Sequence, residues 1–235
     1  LIEQVALTGS TNADLLIRAA QSAPEGLWLR ADAQDSGRGR LGRRWMSEPG
    51  NVFASTIVRL RPTDPASSTL AFVAGLAAHE TLRQIAPEFA IQLKWPNDIL
   101  TANGAKLCGI LLERIGDAVI AGFGINLAHH PDTLDRPVSD LRSLGANPPE
   151  AQAVTEMLAD NFARWLHLWR NTPLDNVLRA WDAAAHRHGS ALSVHQPDGG
   201  KLDGLYVGLE PDGALRLRLA DGQIRAIHAA DVFLI

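Results

Sequence analysis

The chain has 235 residues, 46% of them apolar, and its 22 Lys and Arg against 26 Asp and Glu leave a formal charge of −4. That is enough chain for one globular domain, or a domain with a small appendage, and it argues against a disordered tail or a strongly basic nucleic-acid coat. The single cysteine, Cys108, cannot close an internal disulfide, which points to a reducing cytoplasm. No apolar run approaches the ~18–20 residues that span a bilayer, and no charged-then-apolar leader opens the chain, although its first residue is Leu1 and residues upstream remain open.

Leu1–Thr8 reads as a short strand. Ser10-Thr11-Asn12-Ala13-Asp14 then opens an apolar-periodic stretch that ends at Pro24-Glu25-Gly26, a capped helix in which Thr11 and Asp14 fit a capping box. Leu27–Ala31 and Val52–Leu60 read as strands on either side of a loop from about Gln34 to Gly50. Ser67–Ile85 carries apolar residues at helical spacing and is Ala-rich, hence a buried helix. Residues 91–127 read as an antiparallel meander, interrupted at Pro96 and turned at Asn103-Gly104, where a type I′ hairpin is expected, and again at Gly116-Asp117. Two helices follow, about Glu150–Arg170 and Leu174–His186, the first with Phe162, Trp165 and Trp169 on one face as a core stripe. From about His188, Asp198-Gly199-Gly200, Asp212-Gly213 and Asp221-Gly222 punctuate short apolar runs, which suggests a small all-β barrel. The division therefore falls near residue 187, giving units of 1–187 and 188–235.

Nineteen of the cations are Arg and three are Lys, namely Lys94, Lys106 and Lys201, while Arg38, Arg40, Arg43 and Arg44 crowd into seven residues. Such a cluster is costly unless it is solvated or meets an anion. Gly37-Arg38-Gly39-Arg40-Leu41-Gly42 satisfies G-x-G-x-x-G, but Pro49 and Gly50 follow where a dinucleotide site needs a helix. What remains is a pliant glycine loop that carries guanidinium forks suited to carboxylate and phosphate. Lys94-Trp95-Pro96-Asn97-Asp98 and Lys106-Leu107-Cys108-Gly109 put two lysines on one hairpin. Asp98 and Lys106 are then either an ordinary cross-strand charge pair or a phosphate-binding lysine with a carboxylate that orients it or helps to hold Mg²⁺. Gly122-Phe123-Gly124-Ile125-Asn126 places glycines in a central strand, a mark of close approach by a ligand or another backbone. Asn126 reads a nucleotide or merely ends the strand, and Ser10-Thr11-Asn12 is a cap or a ligand site. His129-His130 and the Asp182, His186, His188 group make no convincing metal site, and Cys108 reads as core.

Taken in order, Ser10-Thr11-Asn12, Gln34, Gly37–Trp45, Lys94–Asp98, Lys106–Gly109 and Gly122–Asn126 resemble the biotin protein ligases over almost the whole chain. The resemblance implies an α+β catalytic domain like that of class II aminoacyl-tRNA synthetases, followed by an SH3-like barrel. It implies a monofunctional, cytoplasmic enzyme without an amino-terminal winged helix, which joins biotin and ATP into biotinyl-5′-AMP and passes the biotinyl group to a lysine of a biotin carboxyl carrier protein, such as that of acetyl-CoA carboxylase. Biotin contacts then fall to Ser10, Thr11, Asn12, Gln34, Arg38, Gly39, Arg40 and Lys106, with Gly109 also matching the family's pattern, as do Glu113 and Asn126. Nucleotide contacts are expected from Arg43, Trp45, Asn97 and Asn126.

For the first step, alignment and positive charge matter most, so Lys106, Arg38 and Arg40 are the expected catalytic cations, with Mg²⁺ on the ATP phosphates and no metal site on the protein itself. In the second step the acceptor lysine must lose a proton, at about 4.6 kcal/mol at pH 7 from a reference pKa near 10.4, and Asp98 is the candidate acceptor of that proton. Neither DNA nor a membrane is an expected partner, and a homodimer is left open. The nearest rival is another acyl-adenylating ligase of the lipoate type. A more distant one is a nucleic-acid-binding module that uses the arginine loop, which the net charge and the lack of interleaved aromatics oppose.

Overall fold

Seven strands form one mixed sheet in the order β1-β2-β3-β7-β6-β5-β4 in the computed structural model, which describes residues 1–131, 137–196 and 199–235. They are β1 (Ile2–Thr8), β2 (Trp28–Gln34), β3 (Val52–Arg59), β4 (Ile91–Lys94), β5 (Asp98–Thr101), β6 (Lys106–Ile115) and β7 (Ala118–Ile125). Only β1 and β2 run parallel, and the helix α1 (Thr11–Ala20) makes the crossover that a parallel pair requires. Every other pairing is antiparallel, and β4 to β7 form the expected meander.

Alternation along the strands gives the sheet two unlike faces. On one, Ala54, Val58, Val119, Ala121 and Phe123 join the core beneath α2 (Leu70–Ile85) and α3 (Ala151–Asn171). Trp28, Phe123 and Phe162 meet there with ring centroids 5.7–5.9 Å apart. On the other, Leu29, Ile57 and Ile120 pack against Leu15 and Ala19 of α1 in a much smaller cluster. Of the aromatic stripe expected on α3, Phe162 and Trp169 are buried, whereas Trp165 is only half-buried and donates its indole N–H to Glu80.

Two local expectations are corrected. The α1 N-cap is Ser10, whose hydroxyl accepts from Ala13 N at 3.5 Å, and not Thr11; Asp14 instead accepts from Thr8 Oγ1 at 2.5 Å. At Asn103-Gly104 only the glycine takes a positive φ (85°), so the turn is not type I′. Gly104 N donates to Thr101 O and Thr101 N to Ala105 O, a longer loop closed by a left-handed glycine.

After α4 (Leu174–Ala184) come β8 (Ala191–His195), β9 (Lys201–Leu209), β10 (Leu215–Arg218), β11 (Ile224–Ile227) and β12 (Asp231–Leu234). They form a five-stranded antiparallel sheet in the order β11-β10-β9-β8-β12. Asp212 and Asp221 make the expected turns by accepting from the N–H two residues on, while Asp198 lies outside the described residues. The end of α4 is fastened to β4, where His186 N donates to Leu93 O, and the β9–β10 turn of the second sheet is fastened to the first by Trp95 Nε1, which donates to Gly213 O at 3.1 Å.

Candidate active site

The cleft lies on the α1 side of the sheet, where the alternating positions are small. Gly109 of β6 pairs with Gly124 of β7, and one step on, Leu111, Gly122 and Ser55 stand in line across three strands. A methyl group at Gly124 would lie 2.6 Å from Trp45 Nε1, one at Gly109 2.8 Å from Trp45 Cζ3, and one at Gly122 2.8 Å from Asn12 Cγ. All three are closer than packed side chains allow, so these glycines exist to let Trp45 and Asn12 down onto the sheet. The close approach expected at Gly122 and Gly124 is thus made by the protein's own side chains. The loop that brings Trp45 is a narrow hairpin, with Trp45 N donating to Gly37 O, a bridge between Arg38 and Arg44, and a 3₁₀ turn at Arg40–Gly42. No helix follows Gly42, consistent with rejecting a dinucleotide site.

At the other end of the cleft three charges meet. The β4–β5 register sets Lys94 opposite Asp98, with Lys94 Nζ 3.0 Å from Asp98 Oδ2, and Lys106 of β6 pairs with Oδ1 of the same carboxylate. Asp98 is 5% exposed and Lys106 7%. Burial by itself would raise the Asp98 carboxyl, but the two ammonium groups and their hydrogen bonds overcome it and hold the carboxylate well below its usual range. Cys108, two residues beyond Lys106 along β6 and fully buried, is pushed up to about 12 by desolvation and stays a thiol. Lys106 is locked from behind: its N–H donates to Pro137 O, its carbonyl accepts from Ser139 N, and Asn126 Nδ2 reaches Ser139 O at 3.0 Å. Lys106 Nζ also stands 5.3 Å over the Trp45 ring, which joins the two ends of the cleft.

The arginine loop is held across the cleft by the second sheet. Arg40 donates to Asn97 Oδ1 and to Ala230 O, each at 3.2 Å, and Arg43 pairs with Asp231. Lys94 Nζ donates to Val232 O at 2.7 Å. Burial makes Arg40 somewhat easier to deprotonate, and Asp98 opposes this. Arg38 and Arg44 line the mouth and remain exposed. Near α1, Thr11, Ser55, Asn12 and Gln34 form a hydrogen-bonded line, with contacts of 2.6 Å from Ser55 Oγ to Asn12 Oδ1 and 2.9 Å from Thr11 N to Gln34 Oε1.

Ser10, Thr11, Asn12, Gln34, Arg38, Gly39, Arg40, Arg43, Trp45, Asn97, Asp98, Lys106 and Gly109 therefore share one cleft. Asn126 does not line it; it braces the backbone of Lys106 from below, the strand-ending alternative left open by the sequence. Asp98 is a poor proton acceptor, because its carboxylate is held low and committed to two lysines; its geometry suits it to positioning them. Sequence reasoning missed Ser55, Asp231, Val232 and Phe233, which also line the cleft. Ser55 is one small residue in an apolar strand, and the β12 residues arrive from more than 180 positions beyond the loop they face, so neither carries a local signal. Among the described residues no group of three His, Cys, Asp or Glu could hold a metal ion.

Residues 6–128 match the biotin/lipoate A/B protein ligase family, and residues 193–235 match the biotin protein ligase C-terminal domain. The chain is 37% identical over 251 residues to a biotin–[acetyl-CoA-carboxylase] ligase of Paracoccus denitrificans, covering 97% of this chain and 98% of that one. It is 34% identical over 239 residues to the enzyme of the same name from Mycobacterium tuberculosis, covering 98% and 88%. In fold it is similar to the biotin protein ligase of Aquifex aeolicus solved with biotin and ATP, with a TM-score of 0.88 at 24% identity, over 100% of this chain and 99% of that one.

Proposed function

Because the chain belongs to the biotin/lipoate A/B protein ligase family, we propose that its cleft is the active site of a biotin–[acetyl-CoA-carboxylase] ligase. The enzyme forms biotinyl-5′-AMP from biotin and ATP and transfers the biotinyl group to a lysine of a carboxylase carrier protein. The observation that carries the site assignment is the convergence of Lys106, Lys94 and Arg40 around a glycine floor roofed by Trp45.

In the first step a carboxylate oxygen of biotin bonds to the α-phosphorus of ATP and the bond to the β-phosphate oxygen breaks, releasing pyrophosphate. Two anions must be held together, so the cleft's work is alignment and charge neutralisation. Lys106 and Arg40 supply positive charge at the junction, while Arg38, Arg43 and Arg44 extend it toward the mouth. Ser10, Thr11, Asn12, Gln34, Gly39 and Gly109 surround the biotin end; Trp45, Asn97 and Arg43 serve the nucleotide. Mg²⁺ would be held by the ATP phosphates, where it would neutralise their charge, because Asp98, the cleft's buried carboxylate, is taken by two lysines.

The product is a mixed anhydride, and a loop folded over it protects it from water. In the second step the neutral carrier amine bonds to the acyl carbon as the bond to the AMP phosphate oxygen breaks; with Asp98 held low, the proton the amine sheds goes to water or to the departing phosphate. Residues 1–187 form the catalytic unit and 188–235 a second unit that completes the cleft through β12. The reading needs no DNA or membrane partner and suits a cytoplasmic enzyme, and no helix among the described residues is long and apolar enough to cross a membrane. The test is ATP–pyrophosphate exchange. Exchange that depends on biotin and stays silent with lipoate is expected; lipoate-driven exchange, or none with either acid, overturns the assignment.

A further inference from the structure

The hydrogen-bonded line beside α1 has a direction, and it is fixed from outside the cleft. Asn12 Nδ2 lies 2.8 Å from Glu113 Oε2 and 3.3 Å from the Leu111 carbonyl. A carboxylate and a carbonyl only accept, so the amide nitrogen faces them and Asn12 Oδ1 faces Ser55. That oxygen also only accepts, so Ser55 Oγ, 2.6 Å away and fully buried, commits its one proton to it. Thr11 Oγ1, 2.7 Å from Ser55 Oγ, can then bond to it only as donor. On its other side Thr11 N–H donates to Gln34 Oε1, which turns Gln34 Nε2 to Ser47 Oγ at 3.0 Å, and Ser47 donates to Trp45 O at 3.1 Å. Both protons of the hydroxyl pair are spent inside the protein. Thr11 and Ser55 therefore have no proton to offer a ligand, and only their acceptor capacity remains.

We propose that Glu113, which does not itself line the cleft, is a positioning residue that sets this direction and thereby the class of acid the enzyme takes. A pocket end made of acceptors demands a ring with N–H donors, as a cyclic urea provides. A ring of carbon and sulfur alone, as in lipoate, would leave those buried acceptors unpaired, and sites built to meet a donor reject such analogues by as much as about 10⁴-fold. The inference rests on reading the cleft as a biotin site.

Exchange kinetics on Glu113→Met and Glu113→Gln test it, with Glu113→Ala as a smaller replacement should the first not fold. Glu113→Met removes the nearer acceptor and leaves only the longer bond to the Leu111 carbonyl, and the KM for biotin should rise about tenfold while that for ATP stays within about twofold. Desthiobiotin, which keeps the urea N–H groups, should suffer the same rise, and discrimination against lipoate should shrink in step. Glu113→Gln can still turn an oxygen to Asn12, so it should stay within about threefold of the parent. The role is overturned if Glu113→Met leaves the biotin KM unchanged, if the biotin and ATP constants rise together, or if Glu113→Gln is as impaired as Glu113→Met. A parent enzyme without biotin-dependent exchange would instead bring down the reading of the cleft, which separates the two failures.

Discussion

Beneath α2 and α3 the central sheet presents Ala54, Val58, Ala121 and Phe123, each packed against helix side chains; one residue along the same strands, its other face presents Ser55, Gly122 and Gly124. The two faces share backbone, register and burial, since β7 is buried from end to end. They differ in what fills the space above the sheet. On the first it is helix side chains, and their contribution is stability. On the second, α1 covers one end of β2, β3 and β7 with a small apolar cluster, and the rest is left to Trp45, the lysines and whatever the cleft binds. A single sheet can therefore separate stability from function by parity of position. The comparison can be broken with paired mutations.

The largest expected effect is on the helix face. Phe162 is 3% exposed and meets both Trp28 and Phe123, so Phe162→Ala should cost about 3–5 kcal/mol of stability, as large-to-small changes in aromatic cores do. Its surviving folded molecules should keep the parent KM for biotin and ATP. Chemical denaturation and exchange kinetics on one preparation check both halves, and a raised KM would mean the faces are not separable.

On the cleft face, Lys106→Ala should do the reverse. Asp98 keeps Lys94 as a partner at 3.0 Å, so the fold persists, while loss of the ammonium group should remove about 3 kcal/mol of transition-state stabilisation, or about 10²-fold in exchange rate. The double variant Lys106→Ala with Asp98→Asn should lose further stability, because Lys94 is then left buried without its carboxylate, and it should not regain exchange. Normal exchange in the single variant would remove Lys106 from the chemistry.

Most of the fold was legible because its signals are local: the short run Val52–Leu60 in β3, the Gly116-Asp117 turn into β7, the Ala-rich spacing of α2, and the Asp-Gly turns after residue 188. The site was legible where residue type and spacing coincide, as in Lys94–Asp98 with Lys106, or the arginines between Gly37 and Trp45. It was not legible where function depends on which neighbour a side chain finds. Nothing near Asn126 says that its amide is used up on the backbone of the Lys106 segment. Nothing near Thr11 says that the residue before it caps the helix and leaves Thr11 to face Gln34 and Ser55. Asp98 shows the same limit in its charge, because the sequence puts two lysines on its hairpin and only the fold shows that both reach the one carboxylate and make it a poor base.

The smallest expected effect concerns the seam between the two sheets. Arg43 and Asp231 are partly solvated, so their pair is worth no more than about 1 kcal/mol. The loop is also held by Arg40 on Ala230 O and by Trp45 on the glycine floor, so it should loosen without leaving. Asp231→Ala should therefore raise tryptic cleavage at Arg38–Arg44 in the unliganded enzyme by about fivefold, the factor that 1 kcal/mol allows. With biotin and ATP bound, cleavage should fall to the parent's level, because the ligands' anions then hold the arginines that Asp231 no longer holds. Equal cleavage of parent and variant without ligand would mean that the second sheet only touches the loop, and that closure is governed by Trp45 and the cleft alone.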